Sequence, residues 1–376
     1  MKERSSNIEL LRIFAMLIII AGHSASHGIF HYGEASAFVS WSGGTGIAKA
    51  FSCLLIPGGA IGVGIFFMIT GYFQIQKDRY SSKKLLLECL FYGILTSVIY
   101  LVLYFTKEGW LGGLSPSDFF RYYFLKNLFN PLSGGAWWFV TSYLLVMILS
   151  PVLNSFLRKL SAGGFIICIT SFLIIWYGIS YFTNGVYIQL ERGILFYILG
   201  AYVRLYKKPA EGSLRRTGSV ILYFVSLLSA AVSYYFLAKI MLGEYFTGNT
   251  QKLTADLLDL YIFAVATPVC VYAAFRFFES FDIGSISVIN AIAGTTLGIY
   301  LLHDSEILRY VIWNGILKTD SRIYTKALYP LFIVFITLFI FAACMAVDFL
   351  RKKCAEPFMI KGYEKLEEKV KKKIFK

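Results

Sequence analysis

Apolar runs of about 20 residues, long enough to cross a hydrocarbon core of roughly 30 Å as helix, recur along this 376-residue chain. Ten are readable, at about 8–29, 58–76, 85–106, 137–157, 163–182, 190–206, 217–240, 257–278, 287–307 and 327–350. Shorter polar stretches separate them, the longest being 31–57 and 107–136, both with Gly, Ser and aromatic residues. The pattern predicts an all-α, polytopic membrane protein with about ten transmembrane helices. No internal repeat, proline-rich linker or appended soluble domain interrupts it. Residues 1–350 therefore read as one transmembrane domain and 351–376 as a basic cytoplasmic tail, whose "YEKLEEKVKKKIFK" suits a short amphipathic or frayed helix on the inner membrane surface.

Composition sharpens this picture. Hydrophobic residues make up 57% of the chain and charged residues only 15%, whereas a soluble domain carries about a quarter charged. The first run is too long and too interrupted by ionisable groups for a cleaved signal peptide, so it stays as the first span. Cys53, Cys89, Cys168, Cys270, Cys344 and Cys354 are scattered without paired spacing and read as small apolar residues. The expected location is the cell membrane.

Charge then sets orientation, because Lys and Arg near span ends stay on the cytoplasmic side. Placing both termini inside puts most of the 36 basic residues there. The formal net charge of +14 needs no nucleic acid to explain it; a basic inner rim is expected, and it also attracts anionic lipid or an anionic cofactor.

Candidate chemistry lies where the apolar pattern is broken. The first span, within "NIELLRIFAMLIIIAGHSASH", carries Glu9, Arg12, His23 and His27. Ionisable groups inside a span cost at least about 2.5 kcal/mol each and usually face a protein interior or a water-filled cavity. Ten residues separate Arg12 from His23, which puts them within roughly 20° around one helix and about 16 Å apart in height. Arg12 can also snorkel to the inner headgroups with Glu9, and His23 can simply bond a neighbouring helix. His27 and His31 continue a four-residue spacing that could offer a metal site, but they fall at the outer interface, where polar residues are ordinary, and no metal is expected.

A second intramembrane histidine, His303, ends "TTLGIYLLH". Counting from the start of each span puts His23 and His303 at one depth, roughly 22 Å up parallel helices. Two neutral imidazoles at one level can accept an alcohol proton or orient one another. Asp304, one residue on, could fix a histidine tautomer, although it should point about 100° away, and no catalytic role is assigned to it. Span two supplies Gly58, Gly59, Gly62, Gly64 and Gly71 for close helix approach or a ligand opening, with Phe66 and Phe67 as flat apolar area. It ends at Lys77, Arg79, Lys83 and Lys84, which are either topology signals or a grip for phosphates. Trp137 and Trp138 open span four, as an aromatic belt or a surface for stacking sugar rings; Glu191 and Arg192 open span six, where they can pair with each other.

The segments "RSSNIELLRIFAMLIIIAGH", "GVGIFFMITGYF", "WWFV" and "LGIYLLH", in this order, resemble acyltransferase family 3 membrane proteins over nearly the whole chain. The usual Ser-Gly of span two is here Thr70-Gly71, which keeps a hydroxyl. The resemblance implies a ten-span enzyme moving an acyl group, usually acetyl, from cytoplasmic acyl-coenzyme A to a sugar hydroxyl, often at the outer face. In that family the first-span histidine and arginine matter for activity, which points to His23 and Arg12. Many members carry an extracellular hydrolase-like domain; none is visible here, so the chain is expected to transfer directly or with a separate protein. The implied set is His23 and His303 for catalysis, and Arg12, Arg79, Lys83, Phe66, Phe67 and Gly71 for acetyl-coenzyme A. Trp137, Trp138, Glu191 and Arg192 are expected to hold a lipid-linked or nascent polysaccharide. Polysaccharide-biosynthesis proteins are the expected partners. Two other classes stand beside this: a transporter, which scattered intramembrane charges and glycine-rich spans also suit, and a sensor or scaffold, which would tolerate loss of both histidines.

Overall fold

A computed structural model describes residues 5–30, 35–106, 115–128, 136–179, 188–207, 212–248, 251–319 and 323–374. Among these the regular structure is helical, with no strand. The principal helices are α1 (Ser6–Ser26), α2 (Gly46–Leu55), α3 (Pro57–Gln74), α4 (Lys83–Thr106), α5 (Trp138–Leu157), α6 (Ala162–Phe172) and α7 (Ile188–Tyr206). They are followed by α8 (Ser213–Thr247), α9 (Lys252–Tyr261), α10 (Thr267–Glu279), α11 (Ser287–Ala293), α12 (Thr296–His303), α13 (Tyr329–Cys354) and α14 (Glu356–Ile374).

Among the described residues seven helical stretches are long and apolar enough to cross a membrane: α1, α2 with α3, α4, α5, α8, α9 through α10, and α13. The apolar stretches Ala162–Trp176 and Ser287–His303 are shorter, and α7 carries Glu191, Arg192 and Arg204. Among the described residues each of the ten apolar runs overlaps helix, and seven of them do so at spanning length.

Polarity is arranged as a bilayer demands. Val98, Val102, Phe224, Leu228, Leu331 and Phe335 are exposed on the outer faces of long helices. His23, Asp304, His303 and Ser305 are buried. Lipid gives apolar side chains no reason to turn inward, so helix contacts rest on close packing and on polar bonds.

Small residues supply the close packing around α3, which sits against α1, α7 and α10. A Cβ at Gly71 would collide with the carbonyl oxygen of Tyr197, and one at Gly200 with that of Met68. The backbones of α3 and α7 therefore touch, and neither position tolerates a side chain. On the opposite face, a Cβ at Gly62 would lie 2.6 Å from the carbonyl oxygen of Ala15 on α1.

Polar bonds fix the ends. Asn7 donates to the carbonyl of Phe278 at 2.9 Å, and Ser6 to Asn290 at 2.9 Å, which ties the start of α1 to α10 and α11. Buried Asn154 of α5 donates to the carbonyls of Gln74 (2.8 Å) and Lys77 (3.0 Å) and accepts from Tyr197 (2.7 Å). That clamp sets the direction of the α3–α4 loop. α12 packs on α1, α4 and α13, which brings its last residue, His303, beside α1. The tail forms α14 and returns to α4, where Glu364 accepts from Lys83 at 3.0 Å.

Candidate active site

Arg12, Met16, Ile19 and His23 follow one another at spacings of four, three and four residues, so they form one stripe along α1. Two cavities lie along that stripe. The first, about 220 Å³, is lined by Arg12, Met16, Ile19, Val63, Phe66, Thr70, Tyr80, Ser81 and Ser82, with Phe139, Tyr143 and Tyr300 on its far side. The second, about 480 Å³, contains His23, Trp138, Arg192, Asp304 and Arg309 among apolar walls from Phe30, Phe196 and Tyr234. Ile19, Val63 and Tyr300 belong to both linings. The partition is one layer of side chains thick.

The two histidines meet at this level. His23 Nδ1 lies 3.1 Å from His303 Nε2, and both rings are buried. The backbone dictates how they share protons. His303 Nδ1 is 2.6 Å from the carbonyl oxygen of Ile299, and a carbonyl only accepts, so Nδ1 carries hydrogen. In the neutral ring Nε2 is then the acceptor, and it takes the hydrogen on His23 Nδ1. That leaves Nε2 of His23 as its basic nitrogen. His23 lines the second cavity, whereas His303 stands behind it and borders neither cavity.

Asp304 corrects the sequence reading. An ideal helix would turn its side chain about 100° from His303, but α12 ends at His303 and Asp304 adopts φ −105°, ψ 20°. Its carboxylate comes back over the site, with Oδ1 3.1 Å from His27 Nε2, 3.7 Å from His23 Nδ1 and 3.4 Å from Arg309 Nε. Arg309 also donates to the Asp304 carbonyl at 3.0 Å. His27, read from sequence as interfacial, is 5% exposed. Its position one turn beyond His23, together with an acid directly after His303, was the available signal.

His23, His27 and Asp304 offer three ligand-type atoms within 4.8 Å of one another. All three residues are already engaged, His23 Nδ1 by His303, His27 Nε2 by Asp304, and Asp304 Oδ1 by His27 and the Arg309 guanidinium. The Arg309 guanidinium places a positive charge 3.4 Å from the carboxylate. His31, the third member of the histidine spacing, lies outside the described residues.

The remaining expected site residues divide. Arg12 and Phe66 line the first cavity; Trp138 and Arg192 line the second. Among the described residues Arg12 makes a long 3.7 Å contact to Glu9. Phe67 is buried against Phe139 and Tyr143, and Gly71 against the Tyr197 backbone, so both are helix contacts. Trp137 is fully buried and donates its indole hydrogen to the Leu301 carbonyl at 3.1 Å. Glu191 is buried outside the second cavity's lining. Arg79 is exposed on the α3–α4 loop, and Lys83 is held by Glu364 and Tyr363 of α14.

A family model described as an acyltransferase domain, that of acyltransferase family 3, matches residues 5–349. No curated protein and no solved structure matches the chain.

Proposed function

Because the chain belongs to acyltransferase family 3, we propose that this integral membrane acyltransferase is an O-acetyltransferase of the cell membrane. It moves acetyl from cytoplasmic acetyl-coenzyme A to a hydroxyl of a cell-surface or lipid-linked polysaccharide. In this reading ten spans put both termini in the cytoplasm, and polysaccharide-biosynthesis proteins deliver the acceptor.

One observation carries the reading: two cavities approach from opposite ends of the α1 stripe and share Ile19, Val63 and Tyr300, with His23 just beyond that partition. A long, thin thioester suits the first cavity. Its phosphates stay at the mouth near Arg12, with exposed Arg79 as the second cation, while the pantetheine arm runs along Phe66 toward Tyr300. Lys83 joins them only by leaving Glu364. The acceptor sugar enters the second cavity, where Trp138 provides a stacking surface.

The chemistry follows from the proton order. His23 Nε2 removes the proton from the acceptor hydroxyl as its oxygen attacks the thioester carbonyl. The carbon–sulfur bond then breaks, and the thiolate leaves with the proton from the His23 imidazolium. The charge that His23 gains meanwhile faces the Asp304 carboxylate, 3.7 Å from Nδ1. His303 and Asp304 act through His23 and are positioning residues; base catalysis of this kind is typically worth about 10²–10⁴-fold.

The transporter alternative finds no support, since the family match covers nearly the whole chain and names acyl transfer. Thiol release by the purified protein in lipid vesicles, with acetyl appearing on glycan, tests the proposal. His23→Ala should abolish both; thiol release unchanged in His23→Ala would reject it.

A further inference from the structure

We propose that the acceptor is anionic, and that Arg192 recognises a phosphate or carboxylate carried next to the hydroxyl that is acylated. This rests on reading the His23 cavity as the acceptor side.

The argument begins with charge balance in that cavity. Its lining holds two guanidiniums, Arg192 and Arg309, and one carboxylate, Asp304. Asp304 is committed to Arg309 at 3.4 Å. Arg192 has no ion-pair partner among the described residues; its guanidinium lies 4.2 Å from the ring centroid of Phe263. Its Nε is buried without a hydrogen-bond partner among the described residues. Neighbouring Glu191 is not part of the cavity wall. With His23 neutral, the cavity lining therefore carries one uncompensated positive charge.

An unmatched cation among apolar walls is costly, and an arriving anion is attracted more strongly there than in water. A cation–π contact holds the guanidinium over Phe263, and its nitrogens form a flat fork, the shape that matches phosphate or carboxylate oxygens. Trp138 and His23 border the same space, so one ligand can stack its sugar, place a hydroxyl at His23 and set its anion on Arg192. Two acceptor types share this chemistry: a sugar linked to lipid through phosphate, and a glycan containing uronic acid.

The test uses full-length protein in phosphatidylcholine nanodiscs, which lack anionic lipid. Acetyl transfer is measured to two matched pairs. One is a glucuronate-containing oligosaccharide and its carboxyl-reduced neutral form. The other is a prenyl-phosphate-linked sugar and the same sugar on a neutral prenyl ether. Wild type should favour the anionic member of at least one pair by about tenfold or more in kcat/KM, the scale of a charge-assisted hydrogen bond. The pair that discriminates identifies the source of the anion. Arg192→Gln should bring the ratio close to one, and Arg192→Lys should retain part of it. Equal use of charged and neutral acceptors by wild type overturns the proposal, as does undiminished preference in Arg192→Gln. Should Arg192→Gln fail to show thermal stabilisation by coenzyme A, the Arg192→Lys ratio decides: a preference unchanged from wild type overturns it. Failure of the underlying acyl-transfer reading looks different, since no acceptor would then receive acetyl.

Discussion

His23 Nδ1 and His303 Nε2 are 3.1 Å apart although 280 positions separate them in the chain. The order of hydrogens from the Ile299 carbonyl through His303 fixes which nitrogen of His23 is basic. His23→Ala should therefore lower kcat by about 10²-fold or more. His303→Phe should lower kcat less, leave both KM values unchanged and shift the pH–rate profile, because it frees the His23 tautomer without removing the base. Steady-state kinetics across pH for the two variants checks this.

Asp304 sits between two imidazoles and Arg309 with 3% of its side chain exposed. Asp304→Asn removes the carboxylate from Arg309, which keeps its bonds to the Asp304 and Ala136 carbonyls, and losing a charge-assisted contact of this kind costs about 1–3 kcal/mol. The expected outcome is a clearly lower thermal midpoint together with reduced turnover. A midpoint equal to wild type would mean that the carboxylate is not holding the site together.

Arg12 and Lys83 are both basic residues near the first cavity, but they are differently engaged. Arg12 lines the cavity, while Lys83 pairs with Glu364, whose side chain is 57% exposed. Arg12→Ala should raise the KM for acetyl-coenzyme A about tenfold or more, by loss of a charge-assisted contact. Lys83→Ala should change it by about twofold or less, since exposed pairs contribute little. Donor titrations at saturating acceptor separate the two.

Tyr300 belongs to both cavity walls and packs edge-on against Phe139, with centroids 5.5 Å apart. Tyr300→Ala should open the partition and admit water to the thioester. Acceptor-independent hydrolysis should then rise relative to transfer, measured as the ratio of thiol released to acetyl fixed on glycan.

Gly71 touches the Tyr197 backbone, so Gly71→Ala must push α3 and α7 apart. Overpacking of this kind costs about 1–3 kcal/mol or more, and folded yield should fall. Gly59→Ala, where a Cβ meets nothing within 4 Å, should fold like wild type.

These residues also mark how far the sequence could be read. Arg12 and His23 were legible because helical spacing alone puts them on one stripe. His303 was legible as a level, from counting up a parallel span, but its place behind His23 depends on the crossing of α12 with α1. Asp304 was misread because the helix rule was applied one residue past the helix end. Lys83 looked free to grip phosphate because its partner, Glu364, lies 281 positions away and arrives only when α14 folds back. Trp137 and Trp138 are alike in sequence, yet one donates into the core and the other borders a cavity. The rotation of α5 decides which, and aromatic composition carries no record of it.

The central claim is that acetyl crosses the partition between the two cavities with His23 as the base. Its most direct test is the protein oriented in sealed vesicles, with radiolabelled acetyl-coenzyme A supplied only on the side of Arg12 and glycan only on the opposite side. Label should appear on glycan in wild type and be lost in His23→Ala. Label that reaches glycan equally well without His23, or only when glycan shares the side of the donor, would contradict it.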